Sequence, residues 1–441
     1  MLLKYIINRK TFFKGSAILA LTTVASYALG FLRDRQFAHV FGASHTLDAY
    51  NAAFLIPDII LNVFVAGALS AAFVPIFTSI LSKNDRSESD NFISSILSGS
   101  VLVVGIVGVI AFFFAPLLSH AIVGGLDIEA QHIYTNLMRI LLLSPIIFAV
   151  SNTLGGILTT KERFFWFGMS AVFYNLGIIL GTYFLGPSMG IYGAAVGVII
   201  GAMLHLLPRL IASWRDFSYR PLLQITEYTR SFFKIMLPKM AGHPIEQFTF
   251  LGFTMIVSVL GEGSVSIMNF ARNFQSMPIA VIGITCGLTI FPLLSKAAVR
   301  RDRRDFLRET YLSSILVFGI ASLAAVVLFA IRYPLISILL GGGKFDQSAI
   351  VTTATMLAVF ALSIPTESVN QILARGFYAL QNSITPTLIS VLGLIIAVGG
   401  AYFWRPSLGI TAIAYGFLAG SLTKIILMSF LLRRESRSLS L

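Results

Sequence analysis

Four polar residues interrupt one long apolar run of the sequence and are the first candidates for a binding surface. They are Asp48, Asn51, Asp58 and Asn62, separated by three, seven and four positions. At about 100° per residue, a continuous helix would place all four within an arc of about 80°. A carboxylate at membrane depth costs roughly 2.5–3.5 kcal/mol, so it must face water, a partner or a substrate. The spacing predicts a helix lining a hydrated cavity; the alternative is a polar pair that only holds helices together.

Arginines near two apolar segments are the candidates for binding an anion. Arg33 and Asp34 close the first long apolar segment, and Arg272 lies deep in the eighth, followed by Asn273. The planar guanidinium donates to a pyrophosphate or a carboxylate through two parallel hydrogen bonds. The pattern therefore favours contact between Arg272 and an anionic ligand; the alternative is that Arg272 only pairs with an acidic residue such as Glu246 or Asp58.

Two further polar groups are candidates for binding a proton or a cation. Lys239, His243 and Glu246 have i, i+4, i+7 spacing, which places them on one helical face. A histidine and a buried glutamate can titrate near neutrality, so this face is predicted to respond to protons or cations. The alternative is a self-neutralising triad with no role in coupling. Oxygen ligands suited to Na⁺ follow on the tenth segment: Glu367, Asn370 and Gln371.

The sequence predicts no enzyme, metal centre or organic cofactor. It has a single cysteine, Cys286, which excludes an internal disulfide and a cysteine metal cluster. The GGGK at Gly341 lacks the Ser or Thr of a phosphate loop, because Phe345 follows its lysine. No nucleophile is paired with a base. Any transport would have to use a Na⁺ or H⁺ gradient, the membrane potential or the substrate gradient.

The elements that must position these residues are membrane helices. The 441-residue chain is 56% hydrophobic and only 12% charged, about half the charge of a soluble domain. Apolar runs of roughly 20 residues or more predict an all-α integral membrane protein with about twelve spans. They cover approximately 12–33, 47–81, 92–123, 130–159, 163–186, 189–213, 231–260, 264–297, 309–331, 347–374, 383–404 and 407–432.

The net charge of +13 is explained by topology and not by nucleic-acid binding. If the N-terminus is cytoplasmic, twelve membrane crossings place 23 Lys and Arg residues in cytoplasmic loops and termini and 5 in loops on the outside. This asymmetry predicts that both termini are cytoplasmic. Attraction of the basic loops to anionic lipid is a secondary expectation.

An internal repeat divides the chain into two halves. PSMGIYGAAVGVIIGAM at Pro187 recurs as PSLGITAIAYGFLAGSL at Pro406, and Pro145 recurs as Pro365. Six spans per half give both halves the same orientation, so an axis along the membrane normal should relate them. We predict an N-terminal lobe over 1–213, a cytoplasmic linker over 214–230 and a C-terminal lobe over 231–441, the organisation of an alternating-access transporter.

The stretch LGFLRDRQFAHVFGASHTLDAYNAAFLIPDIILNVFVAGALSAAFVPIF resembles the first helical hairpin of the MurJ (MviN) lipid II flippase family. That family belongs to the multidrug/oligosaccharidyl-lipid/polysaccharide exporter superfamily. LGGILTTKERF, FPLLSK, GGGKFD and ARGFYALQNSITP resemble it further along the chain. The resemblance implies a V-shaped bundle of two lobes that moves the lipid II head group from the inner to the outer leaflet of a bacterial inner membrane.

The resemblance also implies roles for individual residues. Arg33 and Arg272 would contact the diphosphate, with Asn273 taking the place of Arg272 in an ungapped alignment. Asp34 would orient Arg33. Asp48 matches the acidic residue that opens the second helix of the family. From the polar stripe itself we expect Asp48, Asp58 and Asn62 to bind sugar hydroxyls or peptide amines, or to balance the charge of the arginines.

The chain departs from the family pattern at several positions, which leaves other functions open. Tyr27, Leu61 and Asn62 stand where the family usually has basic residues, and Ala271 occupies the position of a family aspartate. The chain also ends after twelve spans, where relatives commonly continue for two. Alternatives are the export of another lipid-linked oligosaccharide (O-antigen or exopolysaccharide) and a drug/cation antiporter, although the latter favours an acidic, aromatic cavity. A membrane enzyme or scaffold is a third class. Expected partners are the lipid-linked substrate, the bilayer and cell-wall synthesis proteins.

Overall fold

The computed structural model describes residues 2–83, 85–221, 224–242 and 245–440, and these residues are arranged almost entirely as helices. The all-α prediction is confirmed. Within the described part, the only β-type pairing is an isolated bridge between Gly342 and Phe345. The chain divides into two compact units, Met1–Phe37 with Ala49–Gln247, and Ala38–Asp48 with Phe248–Leu441.

The helices that lie wholly or mainly in the first unit follow one another with short connections, except that thirteen residues separate α9 from α10. Their bounds are α1 Leu2–Phe41, α2 His45–Ala53, α3 Leu55–Leu61, a π-helical turn Asn62–Ala66, α4 Gly67–Ser82, α5 Arg86–Val123, α6 Ile128–Leu141, α7 Leu143–Thr160, α8 Phe164–Met189, α9 Ile191–Ser213 and α10 Glu227–Gly242. The rings of Phe73, Phe77 and Phe92 form a buried aromatic core with Phe232 of α10.

The second unit has the remaining helices. They are α11 Ile245–Val257, α12 Ser264–Pro278, a π-helical segment Ile279–Ile284, α13 Thr285–Val299, α14 Arg303–Leu339, α15 Gln347–Ala361, α16 Ile364–Ala379, α17 Ile384–Leu408, α18 Thr411–Glu435 and a 3₁₀ turn Ser436–Ser440. Its core includes Leu294, Phe306, Ile372 and Phe377, which are almost fully buried. The division into units assigns α10 to the first unit and Ala38–Asp48 to the second. The lobe boundaries given above stay a prediction.

Most of the predicted membrane spans lie on helices of suitable length. Nine helices of the described chain are long and apolar enough to cross a membrane, and α15 with α16, bent by 41°, would make a tenth. The other two predicted runs, 12–33 and 231–260, lie on α1 and on α10 with α11. The side chains of both are described only in part.

The repeat is confirmed by the backbone at matching positions. Gly190 has φ 57° and ψ −133° between α8 and α9, and Gly409 has φ 54° and ψ −136° between α17 and α18. These values lie outside the regions that residues with a Cβ adopt, which explains a glycine at both positions. In addition, a π-helical segment begins thirteen residues before a proline in each half, at Asn62 before Pro75 and at Ile279 before Pro292.

Glycines on α17 and α18 allow these two helices to approach closely, which gives a prediction about stability. A Cβ added at Gly416 would lie 2.4 Å from the Ala397 carbonyl oxygen, whereas one added at Gly399 meets nothing within 4 Å. We expect Gly416→Ala to destabilise the unit by roughly 1–3 kcal/mol through overpacking. Gly399→Ala should leave stability unchanged or raise it slightly. Thermal denaturation of both variants in detergent checks this, and equal melting temperatures would contradict the close packing.

Candidate substrate-binding residues

Arg33 lies on α1, eight residues before the helix ends, and is held by two partners in the first unit. Its Nε and Nη2 donate to Asp34 Oδ1 at 3.1 and 2.8 Å, and its Nη1 donates to Asn175 Oδ1 at 3.2 Å. The Asn175 amide is itself fixed, because its Nδ2 donates to both the carbonyl and the hydroxyl of Ser26. The predicted pairing of Asp34 with Arg33 is therefore present, and α8 supplies a second orienting group.

The remaining hydrogen-bonding capacity of Arg33 is suited to an anion. Its three bonds use three of the five guanidinium N–H donors, and its side chain keeps 24% of its surface exposed. Tyr50 and Tyr174 lie within electrostatic range of Arg33, and Asp58 lies within that range of Tyr174. Arg33 thus lies in a polar cluster formed by α1, α2, α3 and α8, oriented from one side and accessible from another.

The polar stripe predicted from Asp48 to Asn62 is only partly formed. The helix breaks at Phe54 and widens into a π-helical turn at Asn62, so the four residues do not follow one regular helix. Asp58 is exposed, and Asn62 Nδ2 donates to the Asp58 carbonyl at 2.8 Å. Asp58 and Asn62 stay together in the first unit, whereas Asp48 belongs to the second.

Asp48 is buried and caps a helix that is distant in sequence. Its carboxylate accepts from the backbone N–H of Gly263 at 2.8 Å and of Ser266 at 2.7 Å, and from the Ser266 hydroxyl at 2.6 Å. Gly263 is the N-cap residue of α12 and has no side chain to satisfy these donors. A carboxylate at this end is also favoured by the helix dipole. In this conformation the carboxylate oxygens of Asp48 are occupied by α12.

The segment Ala38–Asp48 is fixed in the second unit by more than this cap. His39 Nε2 bonds to the Gly341 carbonyl at 2.8 Å, and the His39 carbonyl accepts from Lys344 N–H at 3.0 Å. Gly42 has φ +70°, and a Cβ there would lie 2.5 Å from the Lys344 carbonyl oxygen. The GGGK motif is therefore a packing loop for this segment.

Arg272 and Asn273 are half-buried on α12 in the second unit. The Arg272 guanidinium carbon lies 3.4 Å from the centroid of the Phe250 ring, a close cation–π contact with α11. The Asn273 carbonyl accepts from the Ser276 hydroxyl at 3.0 Å. Each unit therefore has an arginine whose guanidinium is oriented by a neighbour, Arg33 by Asp34 and Arg272 by Phe250.

Glu367 lies on α16 and is almost fully buried in an ion pair. Its Oε1 is 2.6 Å from Lys424 Nζ of α18, with 12% and 21% of the two side chains exposed. Two further hydrogen bonds join α16 to α18. The Ser421 hydroxyl bonds to the Thr366 hydroxyl at 2.7 Å, and the Ser421 carbonyl accepts from Asn370 at 3.2 Å. A carboxylate predicted to bind a cation thus already has an ammonium beside it.

The other residues predicted for ion coupling can be placed only in part. His243 lies outside the described residues, and so does the side chain of Lys239 on α10. Glu246 lies in the first turn of α11. Among described residues, no group of three or more His, Cys, Asp or Glu side chains is arranged to hold a metal ion.

Sequence reasoning missed Asn175, Phe250 and Lys424 as partners of the predicted residues. Asn175 was detectable, because it is a polar residue inside the apolar run FYNLGIIL and such residues face protein or water. Phe250 gave no signal among the 37 phenylalanines of the chain.

Comparison with known proteins decides the family. The sequence profile described as "Lipid II flippase MurJ" matches residues 37–441. The chain belongs to the MurJ lipid II flippase family. It is 27% identical to the lipid II flippase MurJ of Burkholderia cenocepacia, with 94% of this chain and 84% of that protein covered. It is 25% identical to the probable lipid II flippase MurJ of Bdellovibrio bacteriovorus, with 97% and 83% covered.

Solved structures share the fold of this MurJ-family chain. A lipid II flippase MurJ in an inward closed conformation superposes with a TM-score of 0.82 at 23% identity, covering 96% of this chain and 90% of that one. An inward-facing multidrug resistance MATE family transporter of the MOP superfamily gives a TM-score of 0.78 at 16% identity, covering 94% and 95%. The exporter fold and the family inferred from the RDRQFAHVFG stretch are confirmed, and the protein is a multi-pass membrane protein.

Proposed function

We propose that this protein moves lipid II, an undecaprenyl-pyrophosphate-linked peptidoglycan precursor, from the inner to the outer leaflet by alternating access. The observation that carries the proposal is Arg33, held by Asp34 and Asn175 with two of its five N–H donors left for a ligand. A guanidinium oriented in this way suits the paired oxygens of a diphosphate. Membership of the MurJ family supports this substrate, and transport of a lipid requires no covalent chemistry.

The other candidate residues have roles that follow from their surroundings. Arg272, stacked on Phe250, would supply a second positive charge to the diphosphate. Asp58 and Asn62, adjacent on one face of the first unit, would bind sugar hydroxyls or peptide amines. Asp48 would exchange its α12 cap for ligand contact only in another conformation.

The proposed location is the bacterial inner membrane with both termini in the cytoplasm. The support is the distribution of basic residues: with the buried Arg209 left out of the 23, 22 lie on the terminal side against 5 on the opposite side. The proposed partners beyond the lipid substrate are cell-wall synthesis proteins that make or use the same precursor. Reporter fusions at the end of α18 and in the α17–α18 turn at Gly409 would test the orientation.

The experiment that tests the function is rescue of a bacterium depleted of its own lipid II flippase. We expect the wild-type chain, present in the membrane at the level of the replaced protein, to restore growth and the appearance of lipid II in the outer leaflet. A well-expressed chain that does not rescue would overturn lipid II as the substrate. Rescue of a strain lacking an O-antigen or exopolysaccharide flippase would then identify the alternative substrate class.

Coupling to a Na⁺ or H⁺ gradient is a further part of the proposal, with Glu246 and Glu367 as the carboxylates. Lys424 neutralises Glu367 at 2.6 Å, so a coupling cation would have to displace that ammonium. We expect Glu246→Gln and Glu367→Gln to abolish the gradient-dependent fraction of transport in proteoliposomes and to leave the gradient-independent fraction. Unchanged transport after collapse of both gradients, together with silent variants, would remove ion coupling. Asp305→Asn, at the start of α14, is the matched control.

A further inference from the structure

The chain between α9 and α10 is fastened along the first turns of α5. Ser218 N–H donates to Asp90 Oδ1 at 3.0 Å, and Arg220 N–H donates to the Ser94 hydroxyl at 3.1 Å. Tyr219 adds a bond between its hydroxyl and that of Ser98 at 3.1 Å. These side chains give an extended segment the partners that its backbone would otherwise lack. Residues 215–221 therefore form a fixed wall beside α5.

A small cationic pocket lies at the start of this wall. Its volume is about 270 Å³, and its lining residues are Leu81, Asp85, Arg86, Ser89, Lys161, Arg215 and Asp216. The two acids are already engaged in the protein. Asp85 caps α5 by accepting from Glu88 N–H, and Asp216 pairs with Lys161 and Arg163 at 2.7 Å each. With Arg163 included, four cations face two carboxylates, and the N-terminus of α5 adds its positive dipole.

A larger apolar cavity is lined by residues that come later on α5 and later in the chain after α9. Its volume is about 690 Å³, within the range of pockets that hold small ligands. The residues that line it come from α5, α7, α9 and the chain after α9: Leu97, Ser98, Val101, Leu102, Val150, Leu154, Leu210, Phe217, Tyr219 and Pro221. Leu102 and Leu210 are about half exposed, so the cavity is open at an apolar part of the surface of the unit.

The order of the two cavities matches the order of groups in a membrane lipid. Ser89 lines the cationic pocket and Leu97 the apolar cavity, eight residues or about 12 Å further along α5. A phosphate at the membrane surface and an acyl chain below it have the same arrangement. The wall lies on the basic side of the protein, where the proposed topology places the cytoplasmic leaflet with its anionic lipids.

We propose that these two cavities form a binding site for an anionic phospholipid of the cytoplasmic leaflet. Its phosphate lies against Arg86, Lys161 and Arg215, and one acyl chain lies in the apolar cavity. A bound lipid would add to the contacts that already hold residues 215–221 against α5, at the start of the connection to α10. The proposal rests on the proposed topology but not on lipid II being the substrate.

The test measures lipid binding to the purified full chain by native mass spectrometry and by titration of detergent-solubilised protein. Dioleoyl phosphatidylglycerol is compared with dioleoyl phosphatidylcholine, which has the same chains and no net charge. We expect the anionic lipid to bind at least tenfold more tightly. The double variant Arg86→Gln, Arg215→Gln should remove most of that preference, because it removes two of the positive charges that line the pocket. Both side chains are exposed, so we expect the fold to remain intact.

Two controls identify the occupant. Arg433→Gln with Arg434→Gln removes the same charge at the exposed end of α18 and should change binding less than twofold. Leu102→Trp, which fills the mouth of the apolar cavity, should weaken the binding of phosphatidylglycerol at least fivefold and leave the binding of inorganic phosphate unaffected.

Equal losses of binding in both double variants would mean general charge attraction and would overturn the site. Phosphate binding as tight as the lipid, unaffected by Leu102→Trp, would overturn the lipid. Displacement of phosphatidylglycerol by an equimolar polyprenyl diphosphate would assign the site to the substrate instead.

Discussion

Replacing Arg33 by alanine is expected to abolish rescue of a flippase-depleted strain while the protein still reaches the membrane. A charged hydrogen bond to a phosphate contributes roughly 1.5–3 kcal/mol, so its loss should slow transport about ten- to hundred-fold. Arg33→Lys should give an intermediate rate, because it keeps the charge but loses the planar fork that Asp34 and Asn175 orient. The measurement is the rate of lipid II translocation in proteoliposomes, normalised to folded protein.

A matched arginine separates this role from a general need for positive charge. Arg139 is also half-buried in the first unit, where it donates to the Phe112 carbonyl and lies over the Phe112 ring at 4.9 Å. We expect Arg139→Ala to transport at close to the wild-type rate. Asn175→Ala should raise the apparent KM more than it lowers the maximal rate, since it loosens the orientation of Arg33 without removing its charge. Wild-type transport by Arg33→Ala would take Arg33 out of the site and leave the proposed function in place.

The part of the fold that sequence reasoning could predict is the part set by local physics. Apolar runs long enough to cross a bilayer give the helices, since an unpaired backbone group in lipid is costly and a helix pairs its backbone groups within one segment. The repeat was visible because Gly190 and Gly409 have a backbone conformation that strongly favours glycine. Such constraints act within a few residues, so they are recorded in the sequence.

The site residues were harder to interpret because their roles depend on partners far along the chain. Asp48 was read with Asp58 as one polar stripe, which assumes a helix of constant period. The break at Phe54 and the π-helical turn at Asn62 end that period. Arg209 is one of the 23 basic residues that the predicted topology assigns to inside loops and termini, yet it is 4% exposed and donates to the Ser170 hydroxyl and the Ser151 carbonyl. A polar residue in an apolar run signals that a partner exists, but neither its spacing nor its type identifies the partner.

Asp48→Ala is expected to be the most destabilising single substitution among the predicted site residues of the second unit. It would remove the acceptor of two backbone N–H groups and one of the partners of the Ser266 hydroxyl, in a place where Asp48 is fully buried. Leaving buried donors unpaired costs roughly 1–3 kcal/mol each before relaxation, so a loss on the order of 3 kcal/mol should appear in thermal denaturation. Asp48→Asn should lose less, because one oxygen remains as an acceptor.

A local helix cap in the same unit gives the scale for this effect. Asp346 caps α15 with a single bond from Ala349 N–H at 2.8 Å, and Asp346→Ala should cost about 1 kcal/mol. We expect the larger loss of stability for Asp48→Ala because Asp48 accepts three hydrogen bonds and Asp346 accepts one, and because the partners of Asp48 are far away along the chain. Asp346 orders only its own helix, whereas Asp48 also fastens the segment Ala38–Asp48 to α12. Equal losses for the two variants would show that Asp48 acts only as an ordinary cap. A larger loss for Asp48→Ala, with the Ala38–Asp48 segment becoming accessible to labelling at an introduced Ala43→Cys, would establish that the carboxylate holds this segment in the second unit.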